Sequence, residues 1–456
     1  NGGDTIWISE VADENDRVAL LTFSLGLDGW LDGAHVDSLR AQSVVEWRAN
    51  NTHLTTIDAN APRNSFRQHV EAFVKSPTLD KKTKKLSDAV LKTLNDGFVH
   101  EDSLEGFFHK VVEDRAGAPA WSAIDDTTRA AWLTHQLFRK NASPGCVHRF
   151  WRTTQIFFAE ALEECRTLVA GTGGARTQRL SLTLSGGNNL RIGGVYAGHL
   201  PWAPNAPFEI LRWPSDFVTV CNLARVLGPN VDPQKLIGTT FDARDDDGRR
   251  HQLTIASVSS VDDVLASYRP LIVLEENPER FRVLVPLQAA DACVEHVISK
   301  WRREMARVWD RLPLRVGVIA FPRKTPFQAV IEATRNVEDD LAVGGSEKWR
   351  VVRVTRGATT TISFECPNRA CEVVDMPTQL ADGRDDVYYP NVAVVGPESE
   401  PHDFTAPRAD GPSVVYRWAA ELRIGDEVCV EPSRFAAVFL DSTARRFDPV
   451  EVHPLS

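Results

Sequence analysis

The stretch that decides the fold is Phe281-Arg282-Val283-Leu284-Val285-Pro286. A short apolar run of this kind predicts a buried strand, and proline ends it because proline cannot donate a ladder hydrogen bond. Another apolar run precedes it at residues 271–274, and the polar residues 275–280 between the two runs predict a tight turn. The stretch therefore predicts two strands that are neighbours in one sheet.

The elements around this pair alternate between helix and strand. Apolar residues recur at helical spacing over residues 290–308 and again over 327–337, and residues 315–321 between them predict a further strand. Upstream lie a strand-like run at 18–23 and an amphipathic helix at 146–169. The resulting order is β-α-β-β-α-β-α, which is typical of a ferredoxin-like palm.

The regions between and after these elements predict two insertions and a second part. We expect an α+β protein whose palm domain covers residues 1–343 and is followed by a β-rich C-terminal domain at 344–456. A helical insertion is expected at about residues 48–142. A β-rich insertion is expected at about 175–265, where the apolar spacing becomes strand-like.

Two patterns give specific expectations for the β-rich regions. Residues 180–184 and 190–195 flank Ser185-Gly186-Gly187-Asn188-Asn189, which predicts a hairpin. Residues 428–440 predict a strand near the C-terminus, after others at 349–354 and 387–395.

Composition limits the classes of protein that remain. The chain has 456 residues, and its formal net charge of −10 gives no basic excess, so a contact with nucleic acid should be local or shared with partner subunits. No apolar run approaches the roughly 18 residues that cross a bilayer, and no signal peptide is visible, which favours the cytoplasm. The chain begins with Asn1 rather than Met, so we expect that it is trimmed and that sequence is missing upstream.

Several patterns could bind a metal or RNA, and each has a simpler interpretation. A zinc site at Cys366 and Cys371 would need two further ligands, and the acidic loop 242–251 lacks the spacing of a calcium loop. The dipeptide His402-Asp403 has no second His-Asp pair and is assigned no role. The basic residues 81–85 and the arginines at 302, 303, 307 and 311 favour solvated helix faces, with RNA contact left open.

The chemistry of a catalytic palm sets what its sequence must contain. Such a palm joins nucleotides with two metal ions, which converging carboxylates hold. The carboxylates come from the end of the first strand and from the tight turn between the second and third strands. In nucleotide cyclases of this shape, that turn reads Gly-Gly-Asp-Asp or Gly-Gly-Asp-Glu-Phe.

Several segments together resemble one family. They are Thr-Ile-Trp-Ile-Ser-Glu-Val-Ala-Asp at 5–13, Gly-Trp-Leu-Asp-Gly at 29–33, Ser-Pro at 143–144, Arg-Phe-Trp-Arg-Thr-Thr-Gln-Ile-Phe-Phe at 149–158, the stretch 281–290, Arg-Leu-Pro-Leu-Arg-Val-Gly-Val at 311–318, Thr-Pro-Phe-Gln-Ala-Val at 325–330, Gly-Asp-Glu-Val at 425–428, Pro-Ser-Arg-Phe at 432–435 and Leu-Asp-Ser-Thr-Ala-Arg-Arg-Phe at 440–447. The chain resembles the large, palm-containing subunit of type III CRISPR effector complexes, and in particular the subtype III-C branch.

The resemblance implies that the catalytic positions are degenerate. The cyclase turn falls on Asn277-Pro278-Glu279-Arg280, where both glycines are lost and Pro278 removes a backbone donor. The first-strand aspartates fall near Ser24 and Gly26. We therefore expect no catalytic residue and no metal site.

A residual metal site stays open as an alternative. It would use Glu275, Glu276, Glu279 and Asp28. Active members of the family use magnesium and ATP, and they carry a His-Asp nuclease domain and zinc-binding cysteines upstream of this palm. Neither upstream region is in this sequence.

The expected function is that of a scaffold and sensor in RNA-guided antiviral defence, in the cytoplasm of a prokaryote. The resemblance implies crRNA, target RNA and other effector subunits at the guide 5′ end and along the backbone as partners, with no membrane. Two alternatives remain. One is an active palm cyclase that makes cyclic oligoadenylates from ATP; the other is an unrelated interaction module with palm-like topology.

Overall fold

The computed structural model describes residues 6–27, 30, 144–171, 178–187, 189–228, 230–261, 268–367, 371–386, 389–397, 399–400, 403–406, 414–440 and 453–454. Of the described residues, 27% are helical and 41% are in strands, so the predicted α+β class is confirmed. The helical insertion expected at about residues 48–142 and the basic residues 81–85 lie outside the described residues.

The described helices and strands follow one another along the chain in this order: α1 Ile8–Val11, β1 Arg17–Leu25, α2 Pro144–Gly171, β2 Leu180–Ser185, β3 Val195–Leu200, β4 Ala203–Arg212, β5 Phe217–Thr219, α3 Leu223–Leu227, β6 Thr240–Arg244, β7 Arg250–Ser260, β8 Ile272–Glu276, β9 Arg280–Pro286, α4 Leu287–Glu304, β10 Leu314–Pro322, α5 Phe327–Ala342, β11 Glu347–Thr355, β12 Thr359–Glu365, β13 Glu372–Pro377, β14 Asn391–Val395, β15 Phe404–Ala406, β16 Val414–Trp418, β17 Glu427–Val430, β18 Arg434–Phe439 and β19 His453–Pro454. Short 3₁₀ turns lie at Pro233–Leu236, Ala306–Val308 and Ala419–Glu421.

The first sheet has the strand order β19-β18-β10-β1-β9-β8. Strand β1 lies in its middle and pairs antiparallel with both β9 and β10. Helices α2 and α4 contribute to the core on one face, where Phe281 stacks on Phe23 and meets the edge of Phe158. Helix α5 covers the other face. Because both faces are covered, β1 is apolar nearly throughout rather than alternating.

Strands β2 to β7 close into a barrel with the order β2-β5-β4-β3-β6-β7. The hairpin expected from 180–184 and 190–195 is wrong. Residues 190–194 form turns, and β2 pairs with β5 and β7 instead of with β3. Gly193 has φ +81° and its N–H donates to the Arg212 carbonyl, so this segment folds back onto the end of β4.

Partly and fully buried ion pairs hold the barrel against the first sheet. Asp16, which precedes β1, accepts hydrogen bonds from Arg225 of the barrel region at 2.5 Å and from Arg323 at 2.9 Å. Burial opposes ionisation of Asp16, but these two guanidinium groups outweigh it and lower its pKa below the ordinary value. Nearby, Glu10 forms a fully buried pair with Arg179 at 2.7 Å. Burial raises the pKa of Glu10 above its ordinary value, although Arg179 acts in the other direction.

The second sheet has the order β13-β12-β11-β17-β14-β16-β15. The single strand expected over 428–440 is wrong, because Pro432 interrupts it. Strand β17 remains in the second sheet, whereas β18 pairs in parallel with β10 of the first sheet. The crossing is fixed by Ser433, whose Oγ accepts the Leu314 N–H at 2.9 Å. The chain after residue 344 therefore supplies strands to both sheets.

Candidate functional site

The structure brings together, at one end of the first sheet, the two places where the resemblance implies that catalytic carboxylates have been lost. Ser24 of β1 is the direct partner of Arg280 in β9, and the Leu25 N–H donates to the Glu279 carbonyl at 2.9 Å. Gly26 continues past the strand, and its N–H donates to Pro313 at 3.0 Å. A Cβ on Gly26 would lie 2.8 Å from Pro313 Cγ, so close packing alone favours glycine there.

The turn between β8 and β9 is built by Asn277. Its side-chain Oδ1 accepts the backbone N–H groups of Glu279 at 2.9 Å and Arg280 at 2.8 Å. Its Nδ2 donates to Glu275 Oε1 at 2.7 Å. An Asn-Pro pair suits such a turn, because asparagine bonds to the backbone two residues on and Pro278 fixes φ. Asn277 and Pro278 therefore stabilise the turn in a way that two glycines could not.

Beside the turn, two arginines of β9 share two carboxylates; we call Glu275, Arg280, Arg282 and Glu338 the guanidinium–carboxylate cluster. Arg282 contacts Glu275 at 2.7 Å and donates its Nε to Glu338 Oε1 at 2.8 Å, with a second bond from its Nη2 to Glu338 Oε2. Arg280 contacts Glu338 at 3.3 Å and Glu275 at 3.8 Å. The Thr22 hydroxyl donates to Glu338 Oε1 at 2.6 Å. The hydrogen bond from Arg282 to Glu338 raises the pKa of Arg282, which keeps this guanidinium charged.

The cluster does not fit the magnesium ions that an active palm uses. Magnesium needs converging carboxylate oxygens, and here guanidinium donors bind the oxygens of Glu275 and Glu338. Of the residues expected to form a residual site, Glu276 lies next to Glu275 and is paired with the core residue Phe281, which places it on the opposite face of the sheet. Asp28 lies outside the described residues. Among the residues that are described, no group of three or more His, Cys, Asp or Glu side chains is arranged to hold a metal ion.

The acidic patterns noted in the sequence have structural roles where they are described. Asp245 accepts from the Arg249 N–H at 2.8 Å and pairs with His251 at 3.0 Å, which closes the β6–β7 turn. Asp403 is fully buried and accepts from Arg417 at 3.0 Å. His402 lies outside the described residues. Cys366 is buried and Cys371 is exposed, so the two thiols occupy different environments.

The arginines of α4 and the following segment differ from one another. Arg302 and Arg303 are exposed, as the sequence predicts. Arg311 is not a solvated residue, and that interpretation is wrong. It is buried and donates to the Asn391 carbonyl at 2.7 Å and the Tyr389 carbonyl at 3.0 Å, so it ties α4 and β10 to the second sheet. Arg307 pairs with Asp386, in the connection between β13 and β14, at 3.0 Å.

Sequence reasoning missed Glu338 and Thr22. Glu338 lies in α5, 58 positions after Arg280. The helical repeat predicts which face of α5 is buried, but it does not predict which residues contact the edge of that face. The available signal was the pair of arginines at 280 and 282, because two cations on one face of a half-buried strand require carboxylate partners.

The described residues thus define a strand-rich α+β protein with two sheets, a closed barrel and an arginine-filled site at the end of the central strand. Comparison of the chain with protein-family models, curated proteins and solved structures gave no match. No helix in the described part of the chain has the length and apolar character that crossing a membrane requires.

Proposed function

We propose that this chain is a non-catalytic scaffold and sensor subunit of an RNA-guided defence complex. It is the counterpart of the large subunit of type III CRISPR effectors, in the subtype III-C branch, and it acts in the prokaryotic cytoplasm. Its first sheet is a ferredoxin-like palm whose cyclase chemistry has been lost.

The order of the sheet supports the palm. Its four core strands lie as β10-β1-β9-β8, all neighbours antiparallel, with α2 leading from β1 to β8 and α4 from β9 to β10. Numbered by themselves, these strands have the order fourth, first, third, second. That arrangement follows from two crossing β-α-β units.

The observation that carries the proposal is the pairing of Ser24 with Arg280 beside Glu338. A palm places its metal-binding carboxylates at these two strand positions. Here one position is a hydroxyl and the other a guanidinium, and the nearby Glu338 is held by Arg282 as well. Because guanidinium groups bind Glu275 and Glu338, these two carboxylates are not free to hold magnesium–ATP, which supports a structural role for the sheet.

The experiment uses the complex isolated with this subunit. We expect the chain to co-purify with a guide RNA of uniform length and with further protein subunits. Incubation with ATP, magnesium and complementary target RNA should yield no cyclic oligoadenylate. The variant Glu279→Ala is compared with Glu276→Ala, which removes a carboxylate from the opposite face.

Two results would contradict the proposal in different ways. Cyclic product that Glu279→Ala abolishes and Glu276→Ala preserves would establish an active cyclase. A chain that folds and associates with other proteins but carries no guide RNA would favour the unrelated interaction module.

A further inference from the structure

A row of arginines crosses the first sheet at the level of Ser24. Ser24 of β1 is the direct partner of Arg280 in β9 on one side and of Arg315 in β10 on the other. Arg315 is in turn the partner of Arg434 in β18. Direct partners in neighbouring strands point to the same face of a sheet. We call Arg280, Ser24, Arg315 and Arg434 the arginine row; all four residues are half-buried.

Two guanidinium groups of the row have no counter-charge among the described residues. Arg280 pairs with carboxylates of the guanidinium–carboxylate cluster, but no ion pair within the described ranges includes Arg315 or Arg434. Arg434 donates to the Val343 carbonyl at the end of α5, and Arg315 forms no hydrogen bond with any residue that the structure describes. Like charges on directly paired residues repel each other, so an anion bound between Arg315 and Arg434 would stabilise both.

Other polar groups of the row are also unused. In the described part of the chain, the Ser24 hydroxyl has no hydrogen-bond partner, and the buried Nε of Arg280 has no acceptor. Asp340 in the last turn of α5 and Glu279 in the β8–β9 turn form no ion pair with a described residue, so neither neutralises the row. The row therefore combines unpaired positive charge with free donors, which is the chemistry that binds an oxyanion.

The row has the length of a polymer rather than of a single anion. Neighbouring strands lie about 4.8 Å apart, so the four strands that carry the row span about 14 Å. One carboxylate or phosphate group covers only part of that distance, whereas successive phosphates of a nucleic-acid strand follow it. Two residues further into the strands, the same face carries Thr22, Gly317 and Ala436, so these positions offer no aromatic ring on which a base could stack. These features favour contact with a sugar–phosphate backbone over recognition of a base.

We propose that the arginine row binds the sugar–phosphate backbone of an RNA strand without a metal ion. Arg315 and Arg434 bind the phosphates, because a guanidinium stays charged and can donate two hydrogen bonds to one phosphate. The Ser24 hydroxyl, between Arg315 and Arg280, donates to the same strand. The inference rests on the proposed function, since it names the surface with which the subunit contacts RNA.

The test uses the whole chain and a fluorescein-labelled uridine dodecamer, followed by fluorescence polarisation in the presence of EDTA. We expect saturable binding that Arg315→Gln weakens about fivefold, with a slope of log affinity against log salt that falls by about 0.7. The loss should be the same for a cytidine dodecamer, because phosphate contacts carry no sequence information. Arg335→Gln, which removes an exposed charge on α5 outside the row, should leave the affinity unchanged.

Stability separates a binding role of Arg315 from a structural one. This residue has no hydrogen bond or ion pair to lose among the described residues, so Arg315→Gln should unfold at the same urea concentration as the wild type. Arg315→Lys keeps the positive charge and should retain most of the affinity for RNA.

Four results would overturn the proposal. They are no saturable binding by the wild-type chain at millimolar RNA, equal affinity of the wild type and Arg315→Gln, displacement of the RNA by ATP much more readily than by inorganic tripolyphosphate, and displacement by hexaglutamate as readily as by a uridine hexamer. The third result would indicate a nucleotide site, and the fourth a site for an acidic peptide. Guide RNA in the isolated complex is scored separately: its presence together with any of these results refutes the arginine row alone, whereas its absence contradicts the proposed function.

Discussion

Replacing Glu338 by alanine tests whether the guanidinium–carboxylate cluster holds α5 to the first sheet. The Glu338 carboxylate accepts from Thr22, from Arg282 twice and from Arg280. Its side chain is 16% exposed, so these bonds are shielded from water only in part. The variant removes the acceptor from three residues of two neighbouring strands at once.

The expected loss in the free energy of unfolding depends on which hydrogen-bond partners each donor keeps in the variant. Arg282 keeps Glu275 at 2.7 Å and Arg280 keeps the same carboxylate at 3.8 Å, so neither guanidinium is left without a counter-charge. The full cost of breaking a buried ion pair, about 3–5 kcal/mol, therefore does not apply. The Thr22 hydroxyl loses its acceptor and is only 2% exposed, which costs about 1 kcal/mol. With weakened contacts to the arginines, we expect a loss of about 1–2 kcal/mol in the free energy of unfolding.

A double-mutant cycle separates the two carboxylates. Glu275→Ala alone leaves Arg282 paired with Glu338, so it should also be mild. Removing both carboxylates leaves two partly buried guanidinium groups unpaired. The double variant should therefore exceed the sum of the single variants by about 1 kcal/mol.

The assay is equilibrium urea unfolding followed by far-ultraviolet circular dichroism. Glu332→Ala, at an exposed position of the same helix, provides the same change in helix propensity without touching the cluster. If Glu338→Ala unfolds at the same urea concentration as Glu332→Ala, or if the two carboxylate deletions are additive, the cluster does not hold the helix.

Two further predictions follow from the packing and charge of the first sheet. Gly317→Ala places a Cβ 2.6 Å from Thr22 Cγ2 beneath α5, and it should lower the free energy of unfolding by about 1–3 kcal/mol. Gly345→Ala is the control, because the new Cβ has no atom within 4 Å and should not change stability. Thermal unfolding of the two variants measures the difference. Asp16→Asn suits the positive φ of 62° at this position but loses the charge that pairs with Arg323. Because the pKa of Asp16 is lowered by folding, its contribution is complete at neutral pH and declines below about pH 4, so the stability difference between wild type and variant should shrink there in urea unfolding.

The sequence allowed the class and the local elements to be predicted where periodicity was strong. The apolar runs of β1 and β9 and the helical repeats of α2, α4 and α5 identify elements whose buried faces are set by near neighbours in the chain. The turn at Asn277 is also predictable, because the asparagine side chain bonds to backbone groups only two and three residues further on.

What could not be predicted depends on contacts between distant residues. Sequence periodicity does not predict the parallel pairing of β18 with β10, nor the burial of Arg311 against the second sheet. The cluster at Glu338 also depends on which face α5 covers. The failed hairpin at 190–195 has the same origin, since closing a barrel decides which strand β2 meets.

The central position of β1 has a consequence for how the chain is made. This strand ends at Leu25, but its partners β9 and β10 begin only at Arg280 and Leu314. At about 5–20 residues per second, a ribosome releases β1 on the order of tens of seconds before either partner emerges. During that interval, an almost wholly apolar strand has no native neighbour. Its protection from aggregation during synthesis therefore falls to chaperones or to transient contacts with the nascent chain.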